Sequence, residues 1–381
     1  MLVDQSYLNF NTNQAGKVKP RILVAPLDWG LGHATRCIPI IRELLAQNCD
    51  IWIGASGAPR QLLQTEFPTL SFIDLPGYNV HYTKSPVWFG WKMIRQLPKI
   101  KASIANENKW LRQQVSQYRF DAVISDNRFG LYHSEIPTIF VTHQLLVKSP
   151  FGKWSESLLQ RRNYKFINRF TSCWIPDFAE EKKLAGELSH PLRKPSIPVN
   201  YIGALSRFEI ERIPVKKNHL VVLLSGPEPQ RTILERKIIE ELKLFADTAT
   251  VVRGLPLETA IPSVAENVLF YNHLPTVELS KKIEEAEFVI SRSGYSTVMD
   301  LVKLGKKSIL IPTPGQTEQV YLGEYLLKNK IALTIKQDKF SLGVAIENAK
   351  KFTYNLPVYK ESKLNETIKI FVEGLKKKEH D

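Results

Sequence analysis

Glu287-Phe288-Val289-Ile290, then Ser291-Arg292-Ser293-Gly294, then a helical pattern from Tyr295 decide how this chain reads. The first four residues make a short apolar strand and the next four a turn. The helix carries Ser296 and Thr297 in its first turn and Asp300 one turn further on. A second apolar run, Ser308-Ile309-Leu310-Ile311-Pro312, leads through Thr313-Pro314-Gly315-Gln316-Thr317-Glu318-Gln319 into another helix. Strand, turn and helix in that order gather backbone N–H groups, hydroxyls and a carboxylate around one crevice at the carboxyl ends of parallel strands. Such a crevice suits a diphosphate at the helix N-terminus with a ribose beyond it. On the residues alone, an ordinary α/β half-domain whose Ser-Gly merely makes a tight turn fits as well.

The same grammar extends outward in both directions. From Pro20, apolar runs at 21–26, 51–54, 72–75, 120–126 and 138–142 alternate with helical patterns, the first at 34–46. Their nearly continuous, β-branched character predicts a parallel sheet covered on both faces. The pattern lapses near 205–218 and resumes at 219–224, 250–252, 268–270 and the two strands already quoted. Two such series predict an α/β protein with two Rossmann-like, doubly wound domains facing across a cleft. The expected divisions are a loose tail at 1–19, a first domain at 20–205, a linker at 206–217 and a second domain at 218–355. Residues 356–381 would form a final helix and a lysine-rich tail.

With 381 residues, two domains of ordinary size are expected. A hydrophobic content of 43% with 24% charged residues fits a globular chain. Three scattered cysteines (Cys37, Cys49, Cys173) argue against a disulfide framework and fit a reducing compartment. No apolar run is long enough to span a bilayer and no leader pattern opens the sequence, so a cytoplasmic location is expected. The net charge of +14 matches nucleic acid, an anionic membrane surface or phosphorylated small molecules. No helix-turn-helix, zinc-finger or aromatic RNA-binding signature accompanies it, so nucleic acid is not expected as a partner. No Asp-x-Asp or His/Cys ligand cluster is present, so neither a metal nor another cofactor is expected.

After the first strand comes Asp28-Trp29-Gly30-Leu31-Gly32-His33-Ala34-Thr35-Arg36. Gly30 and Gly32 relax the strand-to-helix turn, and His33 stands at the helix start, at the mouth of the expected cleft. Alone it also reads as a helix-start histidine that bonds a loop. Arg36, one turn in, is either a cleft cation or an exposed helix residue. Asp126, at a strand end, is either a partner for His33 or a turn former. His143, after the next strand, is placed to bind an acceptor, and Arg253, ending a second-domain strand at the corresponding edge, is a cation candidate for the donor.

Ser-Arg-Ser-Gly, Asp300 and Pro-x-Pro-Gly-Gln-Thr-Glu-Gln together resemble the donor-binding domain of family 28 glycosyltransferases, which have the GT-B fold. Gly-x-Gly-His-x-x-Arg is similar to the N-terminal loop of that family, and closer still to nucleotide-sugar hydrolases of pseudaminic acid synthesis. The resemblance implies that His33 is a general base taking a proton from an acceptor hydroxyl or from water, with Asp126 orienting it. It implies that Asp300 holds the donor ribose and that Glu318 and Gln319 contact the donor sugar. Leu322-Gly323 stand where the family commonly has an Asn after that pair. The loop 224–232 resembles the family's glycine-rich second-domain loop, which makes Ser225, Gly226, Gln230 and Arg231 candidates for the diphosphate, and Tyr271 lies in the loop that meets the base. Ser293, Gly294, Ser296 and Thr297 complete the donor side; Gly30, Gly32, Arg36 and His143 form the acceptor side. The implied reaction is inverting transfer of a sugar from a nucleotide diphosphate, expected to be UDP, to a lipid-linked or envelope glycan. Hydrolysis of the nucleotide sugar is the alternative, and a non-catalytic binding module a further one. GT-B likeness also implies that the last helix packs back on the first domain.

Residues 84–101, 151–154 and 160–165 mix aromatic with basic side chains. That composition suits peripheral contact with an anionic membrane face; it equally suits a domain core or an acceptor pocket.

Overall fold

The computed structural model describes residues 19–77, 89–180, 183–256, 258–358 and 363–378, with backbone alone over 89–100. The first lobe runs β1 (Arg21–Pro26), α1 (Leu31–Ala46), β2 (Asp50–Ala55), α2 (Gly57–Glu66), β3 (Ser71–Asp74) and α3 (Phe89–Tyr118). It continues with β4 (Ala122–Asp126), β5 (Thr138–Val141), α4 (Lys153–Ile167), β6 (Ser172–Ile175) and β7 (Val199–Tyr201). Its seven strands lie in the order β3-β2-β1-β4-β5-β6-β7, all pairings parallel.

The second lobe runs β8 (His219–Leu223), α5 (Gln230–Leu242), β9 (Thr248–Val252), β10 (Val268–Tyr271), α6 (Thr276–Glu285) and β11 (Phe288–Ser291). Then follow α7 (Tyr295–Lys303), β12 (Ser308–Leu310), α8 (Thr317–Lys328), β13 (Leu333–Thr334) and α9 (Leu342–Lys351). Its six strands order as β10-β9-β8-β11-β12-β13, again all parallel. In both sheets the order reverses beside the lobe's first strand, at β1/β4 and at β8/β11. These are the two places where an open parallel sheet leaves a crevice at its strand ends.

The apolar runs read from the sequence are these strands. Ile22, Leu23, Val24 and Ala25 are all fully buried, because helices cover both faces of the sheet. Three strands escaped the sequence reading. β6 and β7 are short, with polar or aromatic residues between their apolar ones, and β13 has two residues. Helix α1 begins at Leu31, one turn earlier than its apolar pattern.

One apolar cluster runs through both lobes and joins Ile38, Ile41, Leu205, Phe208, Val298, Val302 and Ile368. Residues 202–216 pass between the lobes without helix or strand. The final helix, α10 (Leu364–Lys378), returns to the first lobe. Phe371 meets Trp174 edge-on with 5.5 Å between ring centres, and Asn365 Nδ2 donates to Glu43 Oε1 at 2.9 Å. The aromatic-basic stretch 84–101 lies outside the described residues up to 88, and its side chains up to 100 do as well.

Candidate active site

The pairing of β1 with β4 sets Pro26 beside Asp126, so the turn after β1 and the end of β4 share one edge. Gly30 caps α1 at φ +82°, a left-handed conformation that glycine adopts without strain. His33 follows in the first turn. Its Nδ1 lies 3.3 Å from Asp126 Oδ1 and 2.8 Å from Arg36 Nη2. Asp126 is fully buried and Arg36 nearly so. Arg36 donates from Nε to Asp126 Oδ2 at 2.6 Å and from Nη2 to Asp126 Oδ1. Its remaining arm, Nη1, points at His143 Nδ1, 3.1 Å away. Arg36 is therefore neither exposed nor free in the cleft: it is the buried counter-charge of Asp126.

The electrostatics follow from that arrangement. Burial lowers the His33 pKa below 6.5, the Arg36 charge pushes the same way, and Asp126 opposes both. Burial alone would raise the Asp126 carboxyl, but Arg36 and then His33 hold it down at about 2. His33 is thus neutral and Asp126 ionised near pH 7. Two tautomers divide the contacts of Nδ1. With its hydrogen on Nδ1 the ring donates to Asp126 and keeps a lone pair on Nε2; with hydrogen on Nε2, Nδ1 accepts from Arg36. Only the first makes Nε2 a base.

Across the crevice stand β11, the turn Ser291–Gly294 and α7. Gly32 O accepts from Ser296 Oγ at 2.8 Å, so the histidine turn and the donor-side helix touch directly. Glu318 Oε1, in the first turn of α8, is 2.7 Å from His143 Nε2. Burial would raise the Glu318 carboxyl, yet His143 and Arg36 keep it below its ordinary value. Asp300 accepts from Ser206 Oγ at 2.6 Å, and burial lifts its pKa to about 6 against the pull of Arg207 and Ser206. Gly294 caps α7 and has open space where a side chain would stand. Thr297 is half-buried beside it. Ser225 and Gly226 are exposed on the loop after β8, with Gly226 at φ +100° and close to Thr313 Oγ1. Tyr271 is half-buried at the end of β10.

Several predicted donor contacts are spent elsewhere. Arg231 donates to Glu228 and Glu235, and Arg253 donates to the same Glu235, to Asn272 and to Ala260 O. Both guanidinium charges are neutralised within the lobe. Gln230 turns its side chain to Gln337. Ser293 Oγ donates to Gln319 O, and the Gln319 side chain accepts from Thr313 N and donates to Gln316, so this pair builds the loop. What remains for an anion on this side is the N-terminal end of α7 and the open loop at Ser225–Gly226.

Arg292 has no role in the sequence reading. Its buried guanidinium donates to Gln230 O at 2.6 Å, Ile311 O at 3.2 Å and Pro312 O at 3.4 Å, tying together the three loops that shape the crevice. Burial pushes its pKa down to about 10. A position between two serines in a turn carries no sign of burial, and only the fold reveals it.

Residues 259–376 match the glycosyltransferase family 28 C-terminal domain. The chain carries that family 28 domain. A glycosyltransferase of unassigned specificity from Methanosarcina mazei is 23% identical over 320 residues, covering 78% of this chain and 81% of its own length. A Nostoc punctiforme protein is 24% identical over 358 residues, covering 86% of this chain and 87% of its own. It is named UDP-N-acetylglucosamine–N-acetylmuramyl-(pentapeptide) pyrophosphoryl-undecaprenol N-acetylglucosamine transferase. Among solved structures, the glycotransferase of kitacinnamycin superposes with a TM-score of 0.61 at 13% identity, covering 95% of each chain. MurG of Acinetobacter baumannii superposes with a TM-score of 0.51 at 13% identity, over 94% of this chain and 95% of its own. The two facing Rossmann-like lobes are thus the GT-B arrangement, and the match over 259–376 gives the second lobe the character of a family 28 glycosyltransferase.

Proposed function

We infer that the chain is an inverting, metal-independent transferase that moves a sugar from a nucleotide diphosphate, UDP in the first instance, to a lipid-linked acceptor hydroxyl. The observation that carries this reading is a buried Asp126 beside His33, on a turn that touches Ser296 at the donor-side helix. Once Arg36 Nη2 releases His33 Nδ1 and that nitrogen carries its hydrogen toward Asp126, His33 Nε2 takes the proton of the acceptor hydroxyl. The oxygen attacks the anomeric carbon on the face opposite the diphosphate. The old carbon–oxygen bond breaks and its electron pair leaves on the nucleotide, whose charge meets the α7 N-terminus. Asp126 steadies the imidazolium formed, and in this reading Asp300 takes the ribose hydroxyls and Glu318 those of the sugar.

The Nostoc relative's name supports a UDP-sugar and a polyprenol-linked acceptor. A membrane-bound acceptor also suits the start of α4, where Phe151, Trp154 and Leu158 are 56%, 72% and 60% exposed near Lys153, Arg161 and Arg162. Among the described residues no helix is long and apolar enough to cross a membrane.

The test is nucleotide release from UDP-sugars with and without a lipid extract, repeated in the presence of a chelator. Release that requires the extract and survives chelation, with an anomerically inverted product, is the expected result. Equal release without extract makes the chain a hydrolase. Chelator-sensitive release overturns metal independence, and no release from any nucleotide sugar overturns the reading as a whole.

A further inference from the structure

His143 is placed by its chain position to bind an acceptor, yet the fold leaves it no polar atom for one. The ring is 4% exposed. Nδ1 faces Arg36 Nη1, and a guanidinium can only donate, so Nδ1 accepts and the ring hydrogen sits on Nε2. That hydrogen is donated to Glu318 Oε1 at 2.7 Å. The ring face lies on Tyr295, with centres 4.3 Å apart and planes 14° from parallel. Tyr295 is the first residue of α7, immediately after the Ser291–Gly294 turn.

One imidazole therefore touches three elements: α1 through Arg36, α7 through Tyr295 and α8 through Glu318. Arg36 is also the group that grips Asp126 and reaches His33 Nδ1. A continuous polar path runs from Glu318, through His143 and Arg36, to the Asp126–His33 pair. Its ends lie on opposite lobes.

We propose that His143 is a positioning residue that sets the register between the sugar-reading helix α8 and the base-bearing helix α1, and does not bind the acceptor. This deepens the transferase reading and rests on it. When Glu318 is held by His143, α8 and α1 have one relative position, and Arg36 is fixed at the orientation that determines how Asp126 meets His33. Loss of the imidazole nitrogens leaves Glu318 and one arm of Arg36 without partners, and the base is then misaligned while the nucleotide site in the second lobe is intact. A displacement of about 1 Å at the reacting atoms is enough to cost roughly a hundredfold in rate.

The test compares His143→Phe with His143→Gln in the full chain, using kcat, both KM values and UDP affinity by calorimetry. Phe keeps the ring on Tyr295 and deletes both nitrogens; Gln keeps an acceptor for Arg36 and a donor for Glu318. The expected result is a fall in kcat of roughly ten- to a hundredfold for Phe, the span of a contact-pair coupling. UDP affinity and acceptor KM stay within about threefold of wild type, and Gln recovers most of kcat. A Phe variant with near wild-type kcat overturns the proposal. So does a loss confined to acceptor KM, which makes His143 an acceptor ligand, or a Gln variant as slow as Phe. Should Phe not fold, as judged by thermal unfolding, His143→Asn takes its place. It is too short to reach both partners, and its kcat is expected to fall below that of Gln. A wild-type chain that turns over no nucleotide sugar sinks the transferase reading itself, a different outcome from active wild type with an unaffected variant.

Discussion

At the scale of single residues, the chemistry turns on how burial and charge compete around His33. A base must be neutral to accept a proton, and both burial and Arg36 lower the His33 pKa. The acid limb of the kcat/KM profile is therefore expected below pH 6.5, activity being lost as pH falls through that limb. A limb above pH 7 would mean that Asp126 dominates His33. His33→Ala is expected to cut kcat by about 10²–10⁴ while sparing UDP affinity, which calorimetry would read. Turnover that persists in this variant would assign the base elsewhere. Asp300 shows the opposite linkage. Its folded pKa of about 6 exceeds its ordinary 3.8, so between those values the fold keeps a proton the unfolded chain has released. Stability then declines as pH rises through that window. Asp300→Asn, which keeps an acceptor for Ser206, is expected to flatten the slope of unfolding midpoint against pH between 4 and 6 (roughly that window). An unchanged slope would show that the carboxyl is not protonated there. These pairings were only partly legible in the sequence. His33 and Asp126 could be matched because His33 follows the turn after one strand and Asp126 ends another, both expected at one edge. The burial of Arg36, and the sharing of Glu235 by Arg231 and Arg253, depend on helix faces that residue order alone does not fix.

At the scale of elements, the lobes meet through loops that the sequence left unread. The Asp177 carboxylate is fully buried and accepts from Phe178 N at 2.8 Å, Leu184 N at 2.8 Å, Ala185 N at 3.0 Å and Ser189 Oγ at 2.6 Å. That knot presents Glu187 N to Tyr321 OH and Lys183 O to Tyr325 OH, both tyrosines on α8. Gly186, at φ +53°, lies between them; a Cβ there would stand 2.5 Å from Tyr321 OH and 2.7 Å from a Tyr325 ring carbon. Gly186→Ala combines a left-handed backbone with an overpacked contact and is expected to cost about 1–3 kcal/mol in chemical denaturation. A neutral substitution would mean that α8 is free to shift away from this loop. Most of the strands were legible because continuous apolar runs can only be sheet interior here, whereas β6, β7 and β13 carry no such run. The docking knot was not, since its carboxylate gains meaning only from amides seven and eight residues away that fold back onto it.

At the scale of the whole molecule, the two switch points face each other and one apolar cluster passes through both lobes, so the crevice is bounded by packed structure on each side. The arginines nearest the donor side are neutralised or bonded within the fold, so the excess charge of +14 is available to a partner outside the crevice. The start of α4 offers a surface for one: Phe151 just before the helix and Trp154 and Leu158 on it face solvent, and the helix also carries Lys153, Arg161, Arg162 and Lys165. Apolar insertion and attraction to anionic headgroups add in such a surface, and only the second is screened by salt. The chain is therefore expected to co-sediment with vesicles containing anionic lipid, more strongly at low salt, and weakly with neutral vesicles. Replacing Trp154 and Leu158 together by Ser should reduce co-sedimentation severalfold at every salt concentration while leaving turnover of a soluble acceptor unchanged. If vesicle binding survives that double substitution with the same salt response, the charge acts without α4, and the acceptor must be approached by another face of the first lobe.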